Sequence, residues 1–168
     1  MNTTQFIGIP GMMFPDQEIL AFEGKRVTYG ELVDRIKRLA SSLSDQGIQA
    51  GDRVAILQTN CTQYIEAYYA TATLGAAFVP LNYRAKPPEL EYMITAANTK
   101  ILIIGDRYVD VVSQLKPSLS CVEKYVTIET RRDDMLHYDD LVDQGLGSYS
   151  RCKCFSQTQH LRHERTRA

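Results

Sequence analysis

Four short apolar runs of strand length, spaced along the first 130 residues, restrict what this chain can fold into more than any other feature. They lie at residues 54–57 (Val-Ala-Ile-Leu), 78–79 (Phe-Val), 101–104 (Ile-Leu-Ile-Ile) and 125–128 (Tyr-Val-Thr-Ile). A strand that is apolar on both faces must be covered on both faces. The stretches between the runs have helical spacing, so the pattern predicts an α/β fold with a mainly parallel sheet flanked by helices.

The intervening stretches carry their own start and stop signals. Thr28-Tyr29-Gly30-Glu31 has the spacing of a capping box, in which Thr28 and Glu31 each satisfy a free N–H at a helix start. Leu32, Ile36, Leu39, Ala40 and Leu43 then form one apolar stripe, and Gly47 suits a left-handed C-terminal cap. A second helix is predicted over 62–74, with Tyr64, Ile65, Tyr68, Tyr69 and Ala72 as its apolar-aromatic face. Pro87-Pro88 fits the first turn of a third, continuing to 97 with Leu90, Met93 and Ile94 inward. A fourth helix is expected over 108–115. Ahead of all these, Glu18–Phe22 reads as a strand that turns at Glu23-Gly24-Lys25 and returns through Arg26 and Val27 as a hairpin.

Composition narrows the class. Hydrophobic residues make up 44% and charged residues 23% of the 168, the balance of a soluble globular protein. A net charge of −1 offers no bulk attraction to nucleic acid or to an anionic membrane. Beyond Ser150, five basic residues (Arg151, Lys153, Arg162, Arg165, Arg167) face the single acid Glu164, a local +4 that leaves −5 on the first 150 residues. The body and tail therefore read as two regions, 1–147 and a basic, aperiodic 148–168. Residues 1–16 have neither the basic start nor the apolar stretch of a signal peptide, and no apolar run approaches the ~20 residues of a membrane span. Four cysteines (Cys61, Cys121, Cys152, Cys154) do not make a disulfide scaffold at this length, so a reduced, cytoplasmic protein is expected.

Four segments carry a family resemblance. Val27-Thr28-Tyr29-Gly30-Glu31-Leu32 resembles the first core motif of the adenylate-forming superfamily, which includes acyl-CoA synthetases, luciferases and peptide synthetase adenylation domains. Gly51-Asp52-Arg53-Val54-Ala55-Ile56 looks like the next landmark. Leu74-Gly75-Ala76-Ala77-Phe78-Val79-Pro80-Leu81-Asn82-Tyr83-Arg84 is similar to the second core motif in its acyl-CoA synthetase form, with Asn82 where peptide synthetases more often have an acid. Glu89-Leu90-Glu91-Tyr92-Met93-Ile94 continues the order, and the match covers roughly 18–143. The resemblance implies the partial N-terminal subdomain of an enzyme that activates a carboxylic acid with Mg-ATP as an acyl-adenylate and passes it to coenzyme A.

The same resemblance implies that the catalytic parts lie elsewhere. The family's triphosphate loop is rich in Ser, Thr and Gly and ends in Lys; no such run occurs in these 168 residues. The expectation is a truncated, inactive member with no catalytic, cofactor-binding or metal residue of its own. ATP, magnesium and CoA belong to the intact family.

Weaker candidates each have a plainer reading. Gly145-Leu146-Gly147-Ser148 lacks the Thr, Pro and Lys of a phosphate loop. Cys152, Cys154, His160 and His163 are zinc-type ligands at spacings that match no usual zinc pattern. Asn60 and Arg84 sit at strand ends, where α/β sites usually lie, but also suit turns and caps. Tyr64, Tyr68 and Tyr69 fit core or interface better than a ligand cage. His137 precedes Tyr138-Asp139-Asp140-Leu141, which reads as a short amphipathic turn, and nothing nearby makes that histidine a base. The possible partners are a second copy or a complementary ligase segment, because a layer lacking later strands leaves apolar surface uncovered. Neither nucleic acid nor a membrane span is expected.

Overall fold

The computed structural model describes residues 3–145. The chain opens with α1 (Gln5–Met13), then the antiparallel hairpin β1 (Glu18–Phe22) and β2 (Lys25–Thr28). Glu23 and Gly24 at its tip both take positive φ (48° and 78°), as the tight two-residue hairpin turn requires. The main body follows as α2 (Tyr29–Asp45), β3 (Arg53–Leu57), α3 (Thr62–Thr73), β4 (Ala77–Pro80), α4 (Pro87–Ala96) and β5 (Ile101–Ile104). It ends with α5 (Val109–Leu115), β6 (Lys124–Thr127), β7 (Leu136–His137) and α6 (Tyr138–Gln144). Strands β3 to β7 form one five-stranded sheet in the order β4-β3-β5-β6-β7, and every pair is parallel.

The apolar runs now have a physical reason. Successive side chains of a strand point to opposite faces. Val54, Ile56, Ile101, Ile103 and Val126 enter one core with α1, α2, α3 and α6. Their neighbours Ala55, Leu57, Leu102 and Ile104 enter a second core with α4 and α5. The central positions of β3 and β5 are buried on both faces, and the charged residues Arg53 and Lys124 fall only at the starts of β3 and β6.

The capping box forms as expected. Glu31 N–H donates to Thr28 Oγ1 (3.3 Å), and the Glu31 carboxylate accepts from Thr28 N–H (2.9 Å). At the other end of α2, Gly47 N–H donates to Ser44 O (2.9 Å) and Ile48 N–H to Leu43 O (3.0 Å), with Gly47 at φ 93°. This paired closure needs a left-handed residue at that one position, and it lets Ile48 pack into the core beside Leu43.

Two elements depart from expectation. In α3 the buried face is Glu66, Ala67, Ala70 and Thr71, while Tyr64, Ile65 and Tyr69 are only half-buried and Tyr68 is exposed. Small residues let α3 lie close against α2, and the aromatics form a flank instead: Tyr64 meets Phe78 edge-on at 5.3 Å, and Tyr68 meets Phe78 at 5.6 Å. The second departure is β7 with α6, read from sequence as a short turn. Tyr138 is fully buried there, donating to Glu66 Oε2 (3.0 Å) and Gln63 O (3.2 Å). The helix α1 and strand β7 had no counterpart in the sequence reading.

Candidate functional site

In an open parallel sheet, ligands bind beyond the carboxyl ends of the strands, where the winding direction reverses. Here β3 runs to β4 on one side and to β5 on the other, so the reversal lies between β3 and β5. Gln58 follows β3 and Gly105 follows β5, with the Gly105 N–H extending the ladder to Leu57 O (3.0 Å). A Cβ on Gly105 would come within 2.4 Å of Cδ and Nε2 of Gln58. The absence of a side chain at 105 is thus what lets the Gln58 amide lie across the crevice.

Gln58 anchors a closed polar chain. Its Nε2 donates to Glu129 Oε1 (2.5 Å), and its Oε1 accepts from the Thr59 N–H (2.8 Å). Glu129 Oε2 accepts from the Asp106 N–H (2.8 Å), and Asp106 Oδ1 accepts from the Thr130 N–H (2.9 Å). The Thr130 hydroxyl donates to Asp106 Oδ2. Burial acts to raise the Asp106 pKa, but the hydrogen bonds from Thr130 outweigh it and hold the carboxyl below its ordinary value. Three strand-end N–H groups that could have cradled an anion are therefore already donated to the protein's own side chains. Two carboxylates stand in the crevice where phosphate charge would have to go. None of these three N–H groups is free to meet a phosphate in this arrangement.

The sequence candidates fall around this closure. Asn60 is exposed two residues beyond Gln58. Arg84 is exposed, its guanidinium 5.3 Å from the centre of the Tyr83 ring, and its N–H donates to Asn82 Oδ1 (3.0 Å), which makes a turn after β4. His137 is buried at the end of β7, its Nε2 facing Glu129 O (3.3 Å), so that nitrogen is the donor and Nδ1 is left buried without a partner. A shallow cleft of about 270 Å³ opens beside it, lined by Arg131, Arg132 and Asp140 among others. Its cations are already matched: Arg131 binds both oxygens of Asp140, and Arg132 lies 3.5 Å from Asp134. The pairs Cys152/Cys154 and His160/His163, and the rest of the 146–168 tail, lie outside the described residues, as do Leu146, Gly147 and Ser148 of the Gly/Ser cluster. Sequence reasoning missed Gln58, Asp106, Glu129 and Thr130; polar residues directly after three apolar runs were the available signal.

A second polar cluster ties the helices of one layer. Arg35 on α2 donates through Nε to Glu66 Oε1 (2.7 Å) and through one terminal nitrogen to Asp139 Oδ1 (3.1 Å). Glu66 is 1% exposed, and that guanidinium is the cation paired with its buried carboxylate. Burial lowers the Arg35 pKa on its own, and the Glu66 hydrogen bond and charge overcome this and raise it. Burial, with the neighbouring Glu66 charge, pushes the Tyr138 phenol up. The cluster joins α2, α3 and α6, and it is packed among helices rather than open to a ligand.

The fold and its closed crevice define a doubly wound parallel α/β layer with helices on both faces. A family model described as AMP-binding enzyme matches residues 11–159, a span that holds all four quoted motifs, and the chain belongs to that family. Among curated relatives, a 3-oxocholest-4-en-26-oate–CoA ligase of Rhodococcus rhodochrous is 35% identical over 121 residues, 72% of this chain and 22% of that protein. The acyl-CoA ligase sidI of Aspergillus fumigatus is 30% identical over 155 residues, 84% of this chain and 26% of its own length. A solved fatty acyl CoA synthetase of Mycobacterium tuberculosis superposes with a TM-score of 0.80 at 22% identity, over 91% of this chain and 30% of that one. The chain thus spans about a quarter of the curated relatives it matches, as the N-terminal segment of the superfamily. No helix among the described residues is long and apolar enough to cross a membrane.

Proposed function

We propose that these residues supply scaffold, not chemistry, to an acyl-CoA ligase activity: ATP-driven formation of an acyl-adenylate and its transfer to CoA. One observation carries the reading. The N–H groups of Thr59, Asp106 and Thr130, at the sheet's carboxyl edge, are all taken by Gln58, Glu129 and Asp106, and the last two are acids. A triphosphate needs free N–H donors and a cation at that edge. ATP, magnesium and CoA would be held by other parts of an intact ligase. The free thiols of Cys61 and Cys121, both half-buried, suit a reducing cytoplasm.

The test is ATP–pyrophosphate exchange by the purified 168-residue chain, with fatty, aromatic and short-chain carboxylates. Exchange at background rate is expected throughout. Carboxylate-dependent exchange that survives repurification and falls on Glu129→Gln would overturn the scaffold reading. A second reading, a non-catalytic module that pairs with another chain, is favoured by the uncovered apolar residues on α1.

A further inference from the structure

The polar closure at the sheet's carboxyl edge has the form of an occupied receptor. Glu129 presents one carboxylate oxygen to Gln58 Nε2 (2.5 Å) and the other to the Asp106 N–H (2.8 Å). One donor comes from the end of β3 and the other from the end of β5, so the seat spans the point where the winding reverses. Neither donor depends on Glu129 for its position. The Gln58 side chain is buried, and its Oε1 accepts the Thr59 N–H (2.8 Å), which leaves Nε2 to face the carboxylate. Gly105 passes so close to that amide that a Cβ there would collide with it. The Asp106 N–H follows Gly105, whose own N–H is bound to Leu57 O (3.0 Å). Glu129, by contrast, is exposed and reaches in from the loop between β6 and β7. Swinging its side chain into solvent would leave two fixed donors unmet, one of them on a buried amide, and such donors are costly to leave unpaired.

We propose that this seat is a binding site for small monocarboxylates, with the chain's own Glu129 as its resident occupant. A carboxylate of formate or acetate size takes the two donors, one per oxygen, once the Glu129 side chain has left. Charge sets the ligand class. Both donors are neutral, and the Asp106 carboxylate stands beside them, held by the Thr130 N–H (2.9 Å) and hydroxyl. A ligand with two negative charges, such as hydrogen phosphate, meets that acid with twice the repulsion. A single charge shared over two planar oxygens matches a pair of neutral donors. With neutral donors and an acid alongside, the affinity belongs in about the millimolar range. The inference goes beyond the scaffold reading and does not rest on it, since a carboxylate can be held here whether or not the chain activates one.

Chemical rescue tests it in the 168-residue chain, with Glu129→Ala as the variant that empties the seat. Urea midpoints are read by tyrosine fluorescence at neutral pH in sodium acetate, chloride or phosphate, at one ionic strength of about 0.2 M, where a millimolar site is filled. Acetate is expected to raise the variant's midpoint above its value in chloride, recovering at least about half of what the substitution loses. Wild type should gain nothing from acetate over chloride, because its seat is taken. Adding Gln58→Ala to Glu129→Ala removes a donor and should abolish the acetate effect. In amide NMR spectra of Glu129→Ala, the Asp106 N–H should shift saturably with acetate. Equal midpoints in acetate and chloride overturn the proposal, as does an acetate gain that wild type or the double variant shares. So does rescue by phosphate as strong as that by acetate. Should Glu129→Ala be unfolded in chloride, recovery of a dispersed amide spectrum in acetate supports the site, and no recovery overturns it.

Discussion

At Gly105 one missing methyl group decides whether the polar closure of the sheet can form. The backbone there is in an ordinary region (φ −75°), so alanine would meet no conformational penalty, only the Gln58 amide. Gly105→Ala should move that amide off Glu129 and cost about 1–3 kcal/mol, the range for a lost buried hydrogen bond with some overpacking. Gln58→Ala removes the obstacle, so the double variant should be less destabilised than the two single costs added together. Denaturant midpoints of the four proteins give the coupling, and strict additivity would mean the two residues do not interact. Asp106 offers a pH readout of the same closure. Its folded pKa is lowered, so its contribution is fully present above the unfolded value of about 3.9 and is lost as pH falls through the folded value. The stability gap between wild type and Asp106→Asn should therefore be widest at neutral pH and shrink on acidification. Asp52, Asp134 and Asp140 are lowered too, so wild type keeps an acid slope that this variant only reduces. A gap that stays constant down to about pH 3 would show that Asp106 remains equally charged when unfolded.

At the scale of elements, legibility followed how local each cause was. The helix α2 could be read in full because its cap, stripe and closing glycine are fixed by spacing within one segment. The face of α3 could not. Tyr64 and Tyr68 have the greater intrinsic reason to be buried, yet Glu66 goes inside because Arg35 and Tyr138 arrive from elsewhere in the chain to satisfy it. The same long-range partner explains why α6 looked like a turn: its strongest anchor, Tyr138, has no local signature. The crevice residues Gln58, Glu129 and Asp106 were invisible for a related reason, since their meeting depends on the strand order. This account makes Arg35 the residue that permits Glu66. Arg35→Met should cost about 3 kcal/mol, the low end for stranding a buried partner because Arg35 itself is partly exposed. Glu66→Gln keeps acceptor and donor capacity toward Arg35 and Tyr138, and should cost only about 1 kcal/mol. An Arg35→Met loss in urea melts no larger than the ~1 kcal/mol of Glu66→Gln would mean that stranding the Glu66 charge costs nothing at this site.

Across the whole molecule, β3, β5 and β6 are the shared wall of two cores. Ile103 feeds the layer of α2, α3 and α6, while its neighbour Leu102 feeds the layer of α4 and α5. Neither layer can detach without exposing the apolar face of the strands it leaves, so the layers should open together. The sheet margins are different: β4 and β7 each pair on one side only, and the β1–β2 hairpin stands apart as its own two-stranded sheet. Native-state amide exchange should rank these regions, with β3 and β5 slowest, β4 and β7 faster, and the hairpin fastest. Leu102→Ala and Ile103→Ala should each cost about 2–5 kcal/mol, since both remove a fully packed side chain. Because the strands are common to both cores, either variant should speed exchange on both faces of β5 alike. Acceleration confined to the helices of the substituted side would mean the layers are separate folding units. The both-sided apolar runs from which the fold was read would then owe their pattern to something other than a shared core.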